Sequence, residues 1–419
     1  MNVTFPYLKA WWIRLSLIFA VIGPGIISGT ANNDAGGTAT YSIAGAHFGY
    51  EMLWLLIPTG LILWLTQDMG VRLGLVTGKG LAALIRENFA LRMSVFVIAA
   101  TAIANWATVV AEFAGIASVA QIYGFPKYLL VMLSVIIVAV VVIKGNFSIV
   151  QRVFLASSVV YLAYIIAGFL AHPDWRLAFT HLAVPTIELN HDFLFTAIAL
   201  VGTTVTAWGQ FFVQSYYVDK GVRADALKLV RADIATGVIW TLVIAFFIIV
   251  ATAATLWVNG ISIATLGDAA QALEPFAGAL ARHLFAWGLL NASLLGASVV
   301  SISASYLITE SFGWEGKMEH GMKESPFFYK LFLSYLVTAA IVVLIPGIPL
   351  VSILLIPQAL NTLVLPILFA SLLSLLNRRE IMGEHVNTNW YNCASMAAIT
   401  LVVALNAAYF YSLIEGILS

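Results

Sequence analysis

Asp34 is the residue in this chain whose setting most suggests chemistry. It stands in the stretch TANNDAGGTAT, residues 30–40, just after an apolar run from Leu15 to Ile27 that reads as half of a membrane helix. A carboxylate at mid-bilayer costs about 2.5–3.5 kcal/mol on insertion scales and is normally found with a partner. Around it, Asn32, Asn33 and the pair Gly36-Gly37 weaken the helix. An interrupted helix frees backbone carbonyls, which in a membrane must face protein or a water-filled cavity. One carboxylate plus free carbonyls makes an oxygen-rich, negative site, and no Lys or Arg lies within the stretch. Those residues predict cation binding. A plainer reading, in which Asp34 only caps the second half-helix and the glycines permit a kink, stays open on this stretch alone.

A second interruption raises the weight of the first. VGTTVTAWGQ, residues 201–210, sets glycines, threonines and a glutamine inside another apolar helix. Thr206 and Gln210 are four apart and share a face, so both can reach one ion or its waters. The Gln210 amide needs a partner in hydrocarbon, whereas Thr206 either ligates or bonds its own backbone. Trp208 reads as packing. Two interrupted helices in matching positions point to a transporter built from inverted repeats, with its site at the midplane.

The elements that must position these residues are membrane spans. Of 419 residues 61% are hydrophobic and 10% charged, and the mean hydropathy is +0.97. Soluble domains carry about 25% charged residues, so the chain is an all-α polytopic membrane protein. Eleven segments have the roughly 20 apolar residues a span needs: 15–46, 51–75, 94–123, 127–144, 147–171, 192–218, 233–258, 275–311, 328–345, 350–376 and 391–416. The eighth is long and begins with interfacial helix around 272–290. With a cytoplasmic N-terminus, 17 of the 20 Lys and Arg fall inside, leaving Lys127, Arg176 and Arg282 outside. This predicts N-inside and C-outside in a cell membrane. The N-terminal segment, with Trp11-Trp12 at the interface, reads as a retained span and not a signal peptide. No linker divides the chain, so one integral-membrane domain is expected: repeat one over 15–171, repeat two over 192–376 and an extra helix over 391–416.

Other chemistries find little support. Net charge is zero, which gives no argument for nucleic acid, and the single Cys393 excludes a disulfide framework or thiolate cluster. His47, His172, His181, His191, His283, His320 and His385 have no metal-ligand spacing, and no Walker A pattern suggests ATP-driven transport. No cofactor and no obligate protein partner is expected; the partners are the lipid bilayer and a cation.

The stretch GPGIISGTANNDAGGTATYSIAGAHFGYEMLWLL, with RLGLVTGKGLAALIRE after it and PQALNTLVLPILFASLLSLLNRREIMGEHVN near the other end, resembles the Nramp family of divalent-metal transporters. The resemblance covers nearly the whole chain. It implies a LeuT-like fold of five-plus-five inverted repeats with helices 1 and 6 broken. Family members bind metal through an Asp-Pro-Gly-Asn motif, a methionine and nearby carbonyls. Asp34 matches the aspartate, while Ala35 stands for the proline and Gly37 for the asparagine. The span-6 Met-Pro-His is Thr206-Ala207-Trp208 here, so the thioether is gone. The resemblance further implies backbone ligands at Ala31 and Thr203, and Gln358 and Asn361 facing the site as gating residues. Sulfur suits transition metals, while oxygen and water suit Mg²⁺, which keeps several waters. Gly37 is expected to leave more room. The pattern looks like the prokaryotic Nramp-related magnesium transporters.

The family is proton-coupled, with a relay of acidic residues along span 3 and the span-6 histidine. Glu112 fits the first acid, as a structural group paired with Asn105 or with a polar group on a neighbouring helix. Val119, Ile122 and Trp208 occupy the other relay positions. Transport of Mg²⁺, with Mn²⁺ accepted, is therefore expected without proton coupling. An inside-negative potential supplies about 4.6 kcal/mol per 100 mV to a divalent ion. The alternatives are a proton-coupled Mn²⁺/Fe²⁺ importer, an organic-substrate carrier of the same architecture, a non-transporting metal sensor, and an intramembrane enzyme using Asp34 and Glu112.

Overall fold

The computed structural model describes residues 23–145, 147–261, 263 and 266–418, and among them every regular element is helical. Trp11-Trp12 and the start of the first span lie outside the described residues. Among the described residues, nine helical stretches are long and apolar enough to cross a membrane. Leu56–Thr77 adds a tenth: it reaches about 33 Å at 1.5 Å per residue, although Gln67, Asp68 and Arg72 dilute its apolarity. The interrupted helix around Asp34 makes the eleventh, so the described helices fill all eleven expected positions.

In chain order the helices are α1 (Pro24–Ala31), α2 (Ala35–Phe48), α3 (Leu56–Thr77), α4 (Leu91–Ile122), α5 (Lys127–Lys144), α6 (Phe147–Val160), α7 (Leu162–Leu170), α8 (His191–Thr204), α9 (Ala207–Asp219), α10 (Leu227–Thr252), α11 (Leu266–Phe312), α12 (Pro326–Leu344), α13 (Leu350–Leu376) and α14 (Asn389–Leu418). Both expected interruptions are present, between α1 and α2 and between α8 and α9. The α11 helix, at 47 residues, is about 70 Å long and exceeds a bilayer core of about 30 Å. That fits an interfacial start, though the side chains of 266–279 lie outside the described residues. Two short helices, Leu81–Asn88 and Trp175–Ala183, occupy stretches expected to be loops. The second starts at an Asp174 cap, whose carboxylate accepts from Leu177 N–H at 3.0 Å. One or two turns carry too few apolar positions to reveal a period.

The half-helices sit at the centre. α1 and α2 pack on α10, α9 packs on α3, and α8 packs on α13, while α4 runs between α11 and α13. Eight residues cannot hold a helix alone, and α1 is anchored from outside. Asp233 Oδ2, on α10, accepts from Gly23 N–H at 3.0 Å, Gly25 N–H at 2.8 Å and the Tyr217 hydroxyl at 2.5 Å. That carboxylate satisfies donors an N-terminus leaves open. In α13, Pro366 removes the N–H that would bond the Thr362 carbonyl four residues back. Asn406 of α14 replaces it, donating to Thr362 O at 3.2 Å. So the two last long helices are joined where the proline leaves a carbonyl free.

Candidate metal centre

The first interruption is small. Asn32 and Asn33 turn out of α1, and Asp34 is the N-cap of α2, where its Oδ1 accepts from Gly37 N–H at 2.7 Å. Capping and binding are therefore not rival roles for Asp34. One carboxylate oxygen caps, and the other, Oδ2, is fully buried with no hydrogen-bond partner. The Ala35 N–H, which a continuous helix would give to the Ala31 carbonyl, goes instead to Glu112 Oε2 at 3.2 Å. This releases the Ala31 carbonyl from its helical donor, as a carbonyl ligand requires. It also settles the partner of Glu112: it is the neighbouring helix and not Asn105, whose two side-chain polar atoms have no partner.

The second interruption repeats the first. Thr206 is the N-cap of α9 and its Oγ1 accepts from Gly209 N–H at 3.2 Å. The same hydroxyl donates to Asn32 Oδ1 at 3.2 Å and so ties the two interruptions together. With one bond given and one accepted, Thr206 has a single lone pair left for an ion. Thr203, in the last turn of α8, offers a hydroxyl that has no partner and a carbonyl whose i+4 donor lies beyond the break.

Gly37 is the expectation the structure revises. A Cβ at this position would lie 3.0 Å from Asn32 O, 3.0 Å from Thr203 Oγ1 and 3.4 Å from Asp34 Oδ1. The missing side chain does not open space. A side chain here would press on oxygens from both interruptions, while the Gly37 N–H holds Asp34 Oδ1 and supplies no ligand. Gly36 does similar work against α13, because a Cβ there would fall 1.8 Å from Gln358 Nε2.

Gln358 and Asn361 line the same region from α13. Both are fully buried, and Gln358 Oε1 and Asn361 Oδ1 have no partner. Asn361 Nδ2 donates to Thr108 Oγ1 at 3.3 Å, on the same α4 helix that carries Glu112. Gln210, one turn past Thr206 on α9, is buried with both amide atoms unpaired. Trp208 behaves as packing: its ring is fully buried and edge-on to Phe212, and its carbonyl accepts from the Ser303 hydroxyl at 2.7 Å. The residue that sequence reasoning passed over is Asn32. Its signal was the Asn32-Asn33 doublet, of which one amide reaches α9 and the other donates to Thr241 O at 3.2 Å on α10.

The electrostatics follow from this list. Asp34 and Glu112 lie close together, Glu112 bonding the Ala35 N–H beside Asp34; both are fully buried, and none of the residues gathered here is basic. Two carboxylates this close without a countercharge need a cation or a proton between them. Unpaired oxygens on Asp34, Glu112, Thr203, Gln210, Gln358 and Asn361 give hard donors in number. Buried polar atoms are normally satisfied, so this concentration of exceptions around the two joined interruptions is itself informative.

The family described as natural resistance-associated macrophage protein-like matches residues 25–412. The divalent metal cation transporter MntH of Caldanaerobacter subterraneus is 26% identical over 416 residues, 96% of each chain. The Bacillus subtilis protein of the same name is 25% identical over 92% of this chain and 90% of its own. A crystal structure of the Eremococcus coleocola manganese transporter, in complex with an aromatic bis-isothiourea substituted compound, superposes with a TM-score of 0.74 at 18% identity, over 94% of this chain and 86% of that one. Mhp1, a nucleobase-cation-symport-1 transporter, matches with a TM-score of 0.58 at 15% identity, over 93% and 91%. Two transporters with such different cargo share the architecture, so the likeness establishes a LeuT-like fold and leaves the ion to the site.

Proposed function

The chain belongs to the Nramp family, and on that premise we propose that it carries divalent metal cations across the cell membrane by alternating access, with Mg²⁺ as the main cargo and Mn²⁺ accepted. Its curated relatives bear the names of transporters, in keeping with a carrier and not an enzyme. The observation that carries the magnesium reading is the donor set at the two joined interruptions. Asp34, the Ala31 and Thr203 carbonyls, Thr203 and Thr206 hydroxyls and the Gln210 amide offer oxygen and no sulfur. Oxygen donors suit a hard ion, and Mg²⁺ binds through one or two carboxylates while keeping several waters. Gln358 and Asn361 close the site from α13, Glu112 supports Asp34 from behind, and Trp208 packs beneath.

Uptake runs down the electrochemical gradient in this reading. Val119 and Ile122 fill with buried apolar side chains the α4 positions where a relay would continue from Glu112, and a relay needs titratable groups within hydrogen-bond reach or bridged by water. The single-domain plan, with repeats over 15–171 and 192–376, a cytoplasmic N-terminus and an extracellular C-terminus, belongs to the same proposal. One observation favours a second reading: the close pair of Asp34 and Glu112 could hold a proton that leaves when the ion enters, as in a proton-coupled Mn²⁺/Fe²⁺ importer. Uptake into proteoliposomes loaded with a pH dye separates the two. Mg²⁺ should enter, compete with Mn²⁺ and leave the lumenal pH unchanged. Acidification in step with metal entry would overturn the uncoupled reading, and failure of a large Mg²⁺ excess to compete would overturn the magnesium assignment.

A further inference from the structure

A second acidic pocket lies at the far end of α9, thirteen residues from the interruption, about 20 Å along the helix axis. It is a cavity of about 170 Å³ whose lining includes Ser215, Asp219, Tyr306, Glu310, Glu315 and Lys317. Ser215 and Asp219 are four apart on α9, and Tyr306 and Glu310 are four apart on α11, so two helix faces present their polar groups to one another. Asp219 Oδ2 accepts from the Tyr306 hydroxyl at 2.5 Å and from Met318 N–H at 2.8 Å. Its other oxygen, Oδ1, has no partner, although the residue is only 6% exposed. Glu310 Oε1 accepts from the Ser215 hydroxyl at 2.5 Å and Oε2 from Ala82 N–H at 3.3 Å.

The hydrogen bonds that hold both carboxylates thus come from neutral O–H and N–H groups, which orient a charge without cancelling it. Lys317 is the one basic side chain among the lining residues, and it stands exposed at the rim with Glu315. The side chains lining the cavity offer no sulfur and no imidazole, so its chemistry suits a hard cation. At about 30 Å³ per water, the space holds an ion with several waters.

We propose that this cavity is a second divalent-cation site, with Asp219 and Glu310 as ligands and the Ser215 hydroxyl beside them, which an ion occupies after it leaves the central site. The proposal rests on the reading of the chain as a divalent-cation carrier. Because the positions are on one helix, an ion at Asp219 also sits against the C-terminal end of α9, where the helix dipole favours positive charge.

The test is a count of bound Mn²⁺ on the purified full-length chain in detergent, from the electron paramagnetic resonance signal of free Mn²⁺. Wild type should hold two ions per chain, Asp34→Asn one, the pair Asp219→Asn with Glu310→Gln one, and the triple variant none. The proposal is overturned if the Asp219/Glu310 pair variant keeps the wild-type count, or if Asp34→Asn alone abolishes binding. If Asp34→Asn keeps both ions while the pair variant loses one, the central assignment fails and this one stands. Since both carboxylates also hold backbone donors, a milder change gives an independent check. With Asp34→Asn as background, Tb³⁺ luminescence excited through tryptophan should be displaced by Mn²⁺ and should drop several-fold with Trp314→Phe, a ring that lines the cavity. Unchanged luminescence would refute the site.

Discussion

Asp34→Asn separates ion binding from folding more cleanly than any other change at this site. Asparagine caps a helix about as well as aspartate, so the bond from Gly37 N–H to Oδ1, 2.7 Å long, survives. What changes is Oδ2, the buried oxygen with no partner. As an amide nitrogen it becomes a donor, and the nearby Glu112 carboxylate, whose Oε1 has no partner, is there to accept it in a hydrogen bond to a charged group, worth about 1.5–3 kcal/mol. The metal-free variant should therefore melt no lower than wild type. Binding moves the other way. Removing one member of a buried charge pair costs about 3–5 kcal/mol. At 1.4 kcal/mol per factor of ten, that is roughly a hundred- to several-thousand-fold loss of affinity. Thermal unfolding with and without Mg²⁺ or Mn²⁺, together with proteoliposome uptake, reads both. The expected outcome is an equal or higher metal-free melting temperature, no metal-induced shift from the central site and no uptake. Affinity within tenfold of wild type would refute the ligand role, and a lower metal-free melting temperature would refute the geometry assigned to Oδ2.

Three further outcomes follow from contacts around the site. Gly36→Ala places a Cβ 1.8 Å from Gln358 Nε2 and 3.1 Å from Leu354 O, and overpacking of this kind costs about 1–3 kcal/mol. Its melting temperature and uptake rate should both fall, and Gln358→Ala in the same chain should restore the first but not the second. Asn406→Leu strands the Thr362 carbonyl freed by Pro366 at a cost of about 1–3 kcal/mol. Adding Pro366→Ala, which returns the helical N–H, should recover most of that loss in thermal unfolding. Lys220, just beyond α9, has its pKa pushed down to about 8 by burial, against an opposing effect of Asp233. Between that value and its ordinary 10.5 the unfolded chain holds more protons than the folded one, so stability from this group rises with pH across the window. Melting curves from pH 7.5 to 9.5 should climb more steeply in wild type than in Lys220→Met.

The sequence was most legible where polar residues stand against an apolar background. Asp34 and the Thr203–Gln210 stretch are conspicuous inside helices because a bilayer tolerates such groups only with a partner. Eleven spans could be read for the same reason, including Leu56–Thr77, where a composition threshold alone fails but length and the alternation of loops succeed. Contacts across many residues were not legible. The bond from Ala35 N–H to Glu112 joins positions 77 apart and the Thr206–Asn32 bond joins positions 174 apart, and no local period encodes either. Asn406 is of the same kind, since its role exists only because Pro366 on another helix lacks an N–H.

Gly37 shows why residue type alone misleads about a site's size. Read against the Nramp motif, a glycine in place of an asparagine is one ligand lost and space gained. The fold leaves no such space: Asn32 O and Thr203 Oγ1 lie 3.0 Å from where the Cβ would be, and Thr203 keeps an unpaired hydroxyl there. In the proposed donor set the oxygens come from the two broken helices themselves, the Ala31 and Thr203 carbonyls and the Thr203 and Thr206 hydroxyls. An oxygen set drawn from both half-helix pairs is sensitive to how they sit relative to one another, which one asparagine side chain on α2 would not be. If the carrier works by moving those half-helices, the same motion that opens a path pulls the oxygens apart. Release of the ion then needs no separate chemical step, because the site loses its donors as it opens.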